Sequence, residues 1–578
     1  MSSTHVVLHP PPYKSNTLSG FPLVSCHDHV SHQQYYSGVL AGKERWLQQM
    51  EQEGPSPMLT DLSQELVELI FEQLRLIDPA CLRELRRVSR RFNLIATPII
   101  YRTVDLVDLL VEDDAETRFP QVIEDIADFT RHVAVRSILN PRGVQRLLTR
   151  IKRLRTLRWR YVPAEANCEE AWLPSALLTE EQRHSPELKL FVEDLPLREQ
   201  IGGDNRYLES IPVDILASLK ITTPAHPPAS RVSALKELLL RSPRLEEFHY
   251  KDRGQGTQFL FGQGERMPAL KHLVLTSYDW DHDKEDFLQH WDFSRLTSLH
   301  LTCVPSFNFL QSVPFGSLAN LRHLTMQDHS AHLPDRTYEA TQEMCALVRS
   351  HIKALESLSL TCHVKGLLLD TILRHKATLE VLSLRDHTGF SDAARRCPTL
   401  QPASLSAIGR SATRIRILEL DMDVMQCDPR FFLRALSEFP QLTDLTLHVQ
   451  TLIDSSTVEI ADEDEDEEQD QEQEERWCHK LPWGDWDRDA AVRVFTALVS
   501  NRERNQPHLT PWQRITINVG GWRPVMIRRL GAAWRQLNDR GIFAERCFVL
   551  RRRPDGLYGM TEVLGVENSS STRTTPEP

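Results

Sequence analysis

The absences in this sequence bound it first. No apolar run approaches the roughly 18 residues of a membrane span, and the first 57 residues hold no charged-then-apolar signal pattern, only Pro10-Pro11-Pro12 and clusters of Ser, His and Gln. The ten cysteines form no Cys-x-x-Cys pair and no dense even framework. That excludes a disulfide scaffold and reads as reduced thiols in the cytoplasm and/or nucleus. Basic excess is missing too. The net charge is -12, and eleven acidic residues mixed with three Gln between Asp462 and Glu475 account for most of it, leaving the remainder near -1. Without a basic footprint, no nucleic-acid partner is expected. No membrane partner is expected either.

Catalytic signatures are also absent. There is no Gly-x-Ser-x-Gly and no His-Glu-x-x-His. Gly254-Gln255-Gly256 and Gly262-Gln263-Gly264 are followed by no Gly-Lys-Ser/Thr, so they read as a flexible loop and not as a phosphate cradle. His300, His323 and His363 have no paired nucleophile in the sequence and read as surface or concave-face residues. Cys26-His27-Asp28-His29 with His32 lacks the second ligand pair of a zinc site. The expectation is no enzyme, no metal and no cofactor. Trp280, Trp291, Trp477, Trp483 and Trp486 are open to two readings, a recognition patch or filling of an irregular core.

One stretch carries a clear local signal, Met58 to Tyr101. Apolar residues at 62, 66, 69/70 and 74, and again at 82, 85, 88/89 and 92, recur every three or four positions and predict helices. Asp61 caps the first of three short helices with Gln64 three residues on, or Ser63 does. Asp78 before Pro79 starts the second, and Pro98 is expected to stop the third. A segment this small cannot bury all of these side chains by itself, so part of the apolar face is expected to belong to a partner.

Leu62-Ser63-Gln64-Glu65-Leu66 and Val88-Ser89-Arg90-Arg91-Phe92-Asn93-Leu94-Ile95-Ala96 resemble an F-box, and Ala96-Thr97-Pro98-Ile99-Ile100-Tyr101 is similar to the fungal style of that family. Ser63 stands where the family usually has proline, and Phe92 where it usually has tryptophan. The resemblance implies that a face carrying Leu62, Ser63, Leu66, Ile70, Leu74, Leu82, Leu85, Val88 and Phe92 docks on a Skp-type adaptor, and through it on cullin and RING subunits.

A second pattern fills the rest. The motif Leu-x-x-Leu-x-Leu, or a close apolar equivalent, begins at Leu245, Leu270, Leu296, Leu321, Leu355, Leu379, Ile415 and Leu442, after a first copy at Leu154. The eight starts from Leu245 are separated by 25, 26, 25, 34, 24, 36 and 27 residues, close to the leucine-rich-repeat period. In each copy the last two apolar residues point inward from a strand and the residue between them faces out. Helices are expected between the motifs at Ser233 to Leu240, Thr341 to His351, Leu367 to His375 and Phe431 to Phe439. Three residues after the third leucine, where regular repeats carry Asn or Cys, stand Tyr278, Val304, His363, His387, Asp423 and Gln450. The repeats are therefore irregular.

The fold class expected is α/β: a small three-helix F-box followed by an irregular leucine-rich-repeat solenoid. The expected division is 1–57 mostly disordered, 58–104 F-box, 105–235 a connecting region with degenerate early repeats and 236–456 the repeat solenoid. After it come 457–476 as an acidic disordered loop, 477–562 as last repeats and a C-terminal cap, and 563–578 as a disordered tail. The resemblance implies a non-catalytic substrate receptor of an SCF-type ubiquitin ligase, whose repeats hold an unknown target protein. The alternative is an F-box/leucine-rich-repeat scaffold outside ubiquitin transfer.

Overall fold

The computed structural model describes residues 62–162, 174–195, 206–221, 232–251, 257–327, 336–386, 399–423, 427–449, 486–505, 509–519, 546–553 and 555–562. The Cys26 to His32 cluster, the acidic run, a helix expected at Leu40 to Met50, another at Pro524 to Leu537 and the C-terminal tail lie outside them. The chain divides into two units, Met1–Ile100 and Tyr101–Pro578.

Among the described residues of the first unit three helices follow one another: α1 (Gln64–Ile77), α2 (Pro79–Leu85) and α3 (Arg90–Tyr101). Of the two candidate caps for α1, Ser63 is the one used, its hydroxyl accepting from Leu66 N at 3.4 Å. Asp78 Oδ1 accepts from Ala80 N and Cys81 N at 3.0 and 3.2 Å, which places Pro79 at the first helical position, where its missing amide costs nothing. Pro98 does not end α3 as expected. It removes the hydrogen bond to the Leu94 carbonyl, but the helix runs on to Tyr101 because Ile95 and Ile99, one turn apart, are both held in the core. That core is Val67, Phe71, Leu82, Phe92, Ile95, Ala96 and Ile99, with the rings of Phe71 and Phe92 edge to face at 5.3 Å.

Among the described residues, the second unit is built on one open sheet of sixteen strands whose spatial order is the chain order. The strands are β1 (Thr103–Asp105), β2 (His132–Arg136), β3 (Thr156–Arg160), β4 (Lys189–Glu193), β5 (Leu216–Ile221), β6 (Glu247–Lys251), β7 (His272–Thr276) and β8 (Ser298–Thr302). They continue as β9 (His323–Gln327), β10 (Ser357–Cys362), β11 (Val381–Asp386), β12 (Ile417–Met422), β13 (Asp444–Val449), β14 (Arg514–Val519), β15 (Arg546–Arg552) and β16 (Tyr558–Glu562). All neighbours from β1 to β14 are parallel, and β15 and β16 reverse.

The leucine motif explains this register. Phe248, Leu273, Leu299, Leu324, Leu358, Leu382, Leu418, Leu445 and Ile515 face one another across successive strands, and so do Tyr250, Leu275, Leu301, Met326, Leu360, Leu384, Leu420, Leu447 and Ile517. A slip by one residue would turn a whole strand's leucines to the other face, so burial fixes the pairing. The first leucine of each copy, from Leu245 to Leu442, is buried as well. Helix residues such as Leu235, Leu239, Leu405, Ile408 and Phe432 belong to the same core, so helices cover the leucine face and leave the opposite, polar face for the residues between. The helix expected at Thr341 to His351 begins earlier, at Thr337, and its last turn, Leu347–His351, is widened.

Two strands lie in the interval from Val162 to Ser230, where no copy of the motif was expected. β5 holds its spacing all the same, in Leu216-x-x-Leu219-x-Ile221, with Leu219 and Ile221 opposite Phe248 and Tyr250 of β6. In β4 Leu190 and Val192 alternate, but Glu187 stands where the first apolar residue of a copy would be, and the register against β5 shifts between Leu190 and Phe191 while the pairing continues.

Candidate functional site

The nine residues singled out in the first unit do not share one surface. Leu82 and Phe92 are interior, and Leu62, Leu74 and Leu85 pack partly buried against the same core. Ser63 serves as a cap. Leu66, Ile70 and Val88 are exposed, Ile70 at 38% and Val88 at 65%.

Helix geometry explains the split. At about 100° per residue, Val67, Phe71 and Leu74 of α1 fall within one arc of about 60° that meets the core. Leu66, Leu69, Ile70, Leu76 and Ile77 fall in a neighbouring arc of about 120°, and all five are exposed, Ile77 at 78%. Gln64, Glu65, Glu68, Glu72 and Arg75 fill the remaining polar arc, and Gln73 is the one polar residue inside the exposed apolar arc. An apolar band this wide is what a helix buried on two sides has, yet here one side faces solvent. Leu69, Leu76 and Ile77, and Leu94 of α3, were not among the nine. Their spacing from Leu66 and Ile70 carried the signal, which is legible once the helix bounds are known.

On the polar face of the sheet a second constellation draws notice. Thr361, Arg385, Asp421, His448 and Asn518 stand side by side on β10 to β14, all less than 9% exposed. Arg385 Nε donates to Asp421 Oδ1 at 2.6 Å, and Asp386 N donates to Oδ2 at 2.7 Å. In the adjoining row Glu419 accepts from Ser383 Oγ at 2.8 Å and meets His448 Nε2 at 2.7 Å, while Asn518 Nδ2 lies 3.4 Å from His448 Nδ1. Burial, and then the charge of Arg385, hold the His448 imidazole below its ordinary range. It is therefore neutral, with Nε2–H donating to Glu419 and Nδ1 accepting from Asn518. Burial pushes the Glu419 carboxyl up, but the His448 hydrogen bond, the charge of Arg385 and the Ser383 hydrogen bond outweigh it and hold the carboxyl below its ordinary range.

Serine, histidine and carboxylate are thus in contact, but in the wrong order for nucleophile activation. Both the Ser383 hydroxyl and the His448 Nε2–H end on the carboxylate, so the imidazole cannot take the serine proton. The network orders the face instead. Among the described residues, Asn518 Oδ1 and Thr361 Oγ1, at its two ends, have no hydrogen-bond partner.

The remaining candidates resolve individually. Trp280 and Trp291 are buried in an aromatic cluster with Tyr278, Phe293 and Phe309, and Trp280 Nε1 donates to Ser312 Oγ at 2.8 Å, so these two fill the interior. Trp477 and Trp483 lie outside the described residues, as does the side chain of Trp486. His300 meets Thr302 Oγ1 at 2.8 Å and His363 meets Thr337 Oγ1 at 2.7 Å, while His323 Nε2 lies 3.9 Å from Glu356. Tyr278, Val304 and Asp423, at the position where regular repeats have Asn or Cys, are buried. Among the described residues no three His, Cys, Asp or Glu side chains are placed to hold a metal ion, and no helix is long and apolar enough to cross a membrane.

The buried imidazoles give the second unit a definite pH response. Burial drives His300 down to about 4 and lowers His282, His375 and His448. The unfolded chain takes up these protons near pH 6.5 and the folded chain only at lower pH, so the unfolded state binds more protons in between. Stability is therefore full above pH 6.5 and falls as pH drops toward 4. The denaturant midpoint is expected to be lower at pH 5.0 than at pH 7.5, by at least about 1 kcal/mol in stability, with His300→Gln flattening the dependence. An equal or higher midpoint at pH 5.0 would contradict the sign.

No protein-family model matches this chain, and no curated protein is similar to it.

Proposed function

We propose that this chain is the substrate-recognition subunit of an SCF-type ubiquitin ligase, its first unit an F-box docked on a Skp-type adaptor and its second a leucine-rich-repeat solenoid that holds a target protein. The observation that carries the reading is the uncovered half of the apolar arc of α1. Leu66, Leu69, Ile70, Leu76 and Ile77 form an exposed apolar arc interrupted only by Gln73; its exposure is costly in isolation, and a helical partner would remove it from water. Val88 adds to the exposed apolar surface of this unit, whereas Leu82 and Phe92 would act by fixing the helices and not by contact.

The second unit supports the other half of the reading. Strands in strict chain order with leucines in register are what stacked leucine repeats would produce, each repeat covering its neighbour's apolar edge. The polar face is left for a target. In this role the chain supplies proximity and no catalytic group: a bound target and a conjugating enzyme on one assembly react as an effectively intramolecular pair.

Affinity purification of the full-length chain, with the co-purifying proteins identified by mass spectrometry, tests the proposal. Adaptor and cullin together are the expected result. Adaptor without cullin would favour a scaffold outside ubiquitin transfer, and recovery of neither would overturn the reading.

A further inference from the structure

The polar face of the sheet is not evenly neutralised. Arg136 on β2 and Arg160 on β3 are direct register neighbours, and Arg158 stands two residues before Arg160 on the same face. Like charges placed opposite each other destabilise a sheet, so an anionic counterpart would stabilise the pair. The face supplies part of one: Glu193 on β4 is the register neighbour of Arg160 on its other side, and Asp105 on β1 pairs with Ala134, two residues before Arg136. Arg158 Nε is 3.7 Å from Glu193 and Arg160 Nε is 3.5 Å from Asp194, both longer than a good charged hydrogen bond. Arg136 is exposed, and its side chain has no ion-pair or hydrogen-bond partner among the described residues. By contrast, Arg385 on the same face is buried and held on Asp421 at 2.6 Å. The Phe191 ring lies beneath the Arg158 guanidinium, 6.0 Å from centroid to Cζ, so the plane of that guanidinium has support while its edge donors remain available.

Geometry selects the occupant. Same-face residues of one strand are about 6.6 Å apart and neighbouring strands about 4.8 Å apart. An extended peptide lying along β3 repeats the first of these spacings in its own alternate side chains. A carboxylate at one position then meets the fork of Arg158, and the carboxylate two residues on falls between Arg136 and Arg160.

We propose that Arg136, Arg158 and Arg160 form a docking site for an extended acidic segment of a target protein, with Asp or Glu at alternate positions. The proposal rests on the reading that the second unit holds a target. It adds where that target engages and what chemistry it brings.

The test uses the purified full-length chain and a fluorescein-labelled peptide of alternating Glu and Gly, followed by anisotropy. Saturable binding is expected, weakening steeply with added salt, and Arg136→Ala or Arg160→Ala is expected to weaken it at least about tenfold. Arg414→Ala should leave it unchanged, because Arg414 is already held by Glu380 at 2.8 Å. Melting temperatures within about 2 °C of wild type show that the variants fold; where one does not, Arg160→Lys keeps the charge and removes only the fork. Equal binding of a Lys-Gly peptide, unchanged binding in the arginine variants, or tighter binding of duplex DNA would overturn the proposal. Arginine-dependent preference for a phosphoserine-Gly peptide over the Glu-Gly one would overturn the assignment to carboxylates. Adaptor recovery measured on the same preparations separates the two levels: peptide binding without adaptor sinks the ligase reading alone, and adaptor without peptide binding sinks this site alone.

Discussion

Ile70→Asp is expected to abolish recovery of the adaptor while leaving the fold of the first unit intact. Ile70 is 38% exposed in the free chain, so the new carboxylate stays hydrated there and stability should change by less than about 0.5 kcal/mol. On the proposed docking face it would be buried without a partner, at a cost of several kcal/mol, which amounts to a loss of at least about 100-fold in affinity. The contrast with Phe92→Ala sharpens the test. Phe92 is interior and packs edge to face on Phe71, so its removal should cost about 3–5 kcal/mol of stability and lose the adaptor indirectly. Titration of each variant with purified adaptor, alongside thermal melting, distinguishes lost contact from lost fold. Wild-type affinity in Ile70→Asp would mean that the exposed stripe of α1 is not the docking surface.

Gly143→Ala is expected to be among the most damaging small substitutions in the second unit. Gly143 sits in the helix Pro141–Arg150, where alanine is intrinsically favoured over glycine by about 1 kcal/mol. Its Cβ, however, would lie 1.8 Å from the Val111 carbonyl oxygen, 2.6 Å from the carbonyl carbon and 2.8 Å from Cα. All three are backbone atoms, so no rotamer change relieves the overlap and two helices must separate. A net loss of about 3 kcal/mol or more is expected, against the sign of helix propensity. Gly316→Ala is the matched control, since nothing lies within 4 Å of its added Cβ. Denaturant midpoints of the two variants read the difference. A stabilised Gly143→Ala would show that the two helices are free to move apart.

How far each feature was legible depends on how locally its cause is encoded. The strands β6 to β13 were readable because a buried strand must alternate, and eight copies of one apolar spacing leave a mark that survives irregular intervals. β14, Arg514–Val519, carries the same alternation in Ile515 and Ile517. β4 was not readable, because Glu187 stands where the first apolar residue of a copy would be, and β5 was missed although Leu216, Leu219 and Ile221 keep the spacing. Pro98 was misread as a stop: local preference opposed the helix, but Ile95 and Ile99 in the core outweighed one lost hydrogen bond. The apolar positions of α1 were all visible, yet which of them face the unit's own core depends on where α2 and α3 lie, and that is not a local property.

The sequence by itself determined the alternation of helices and strands, the inward set of leucines and the presence of more apolar surface in the first unit than so small a core can cover. These follow from periodicity, and periodicity is written in the chain. Only the tertiary structure decided that Leu66, Leu69, Ile70, Leu76 and Ile77 are the uncovered part. It alone brought Arg136 beside Arg160, and it set Ser383, Glu419 and His448 in an order that cannot activate a nucleophile. Neighbours across a parallel sheet are separated in sequence by the whole helical connection between their strands. Their pairing is set by the summed burial of every strand's leucines, so no single stretch of sequence contains it.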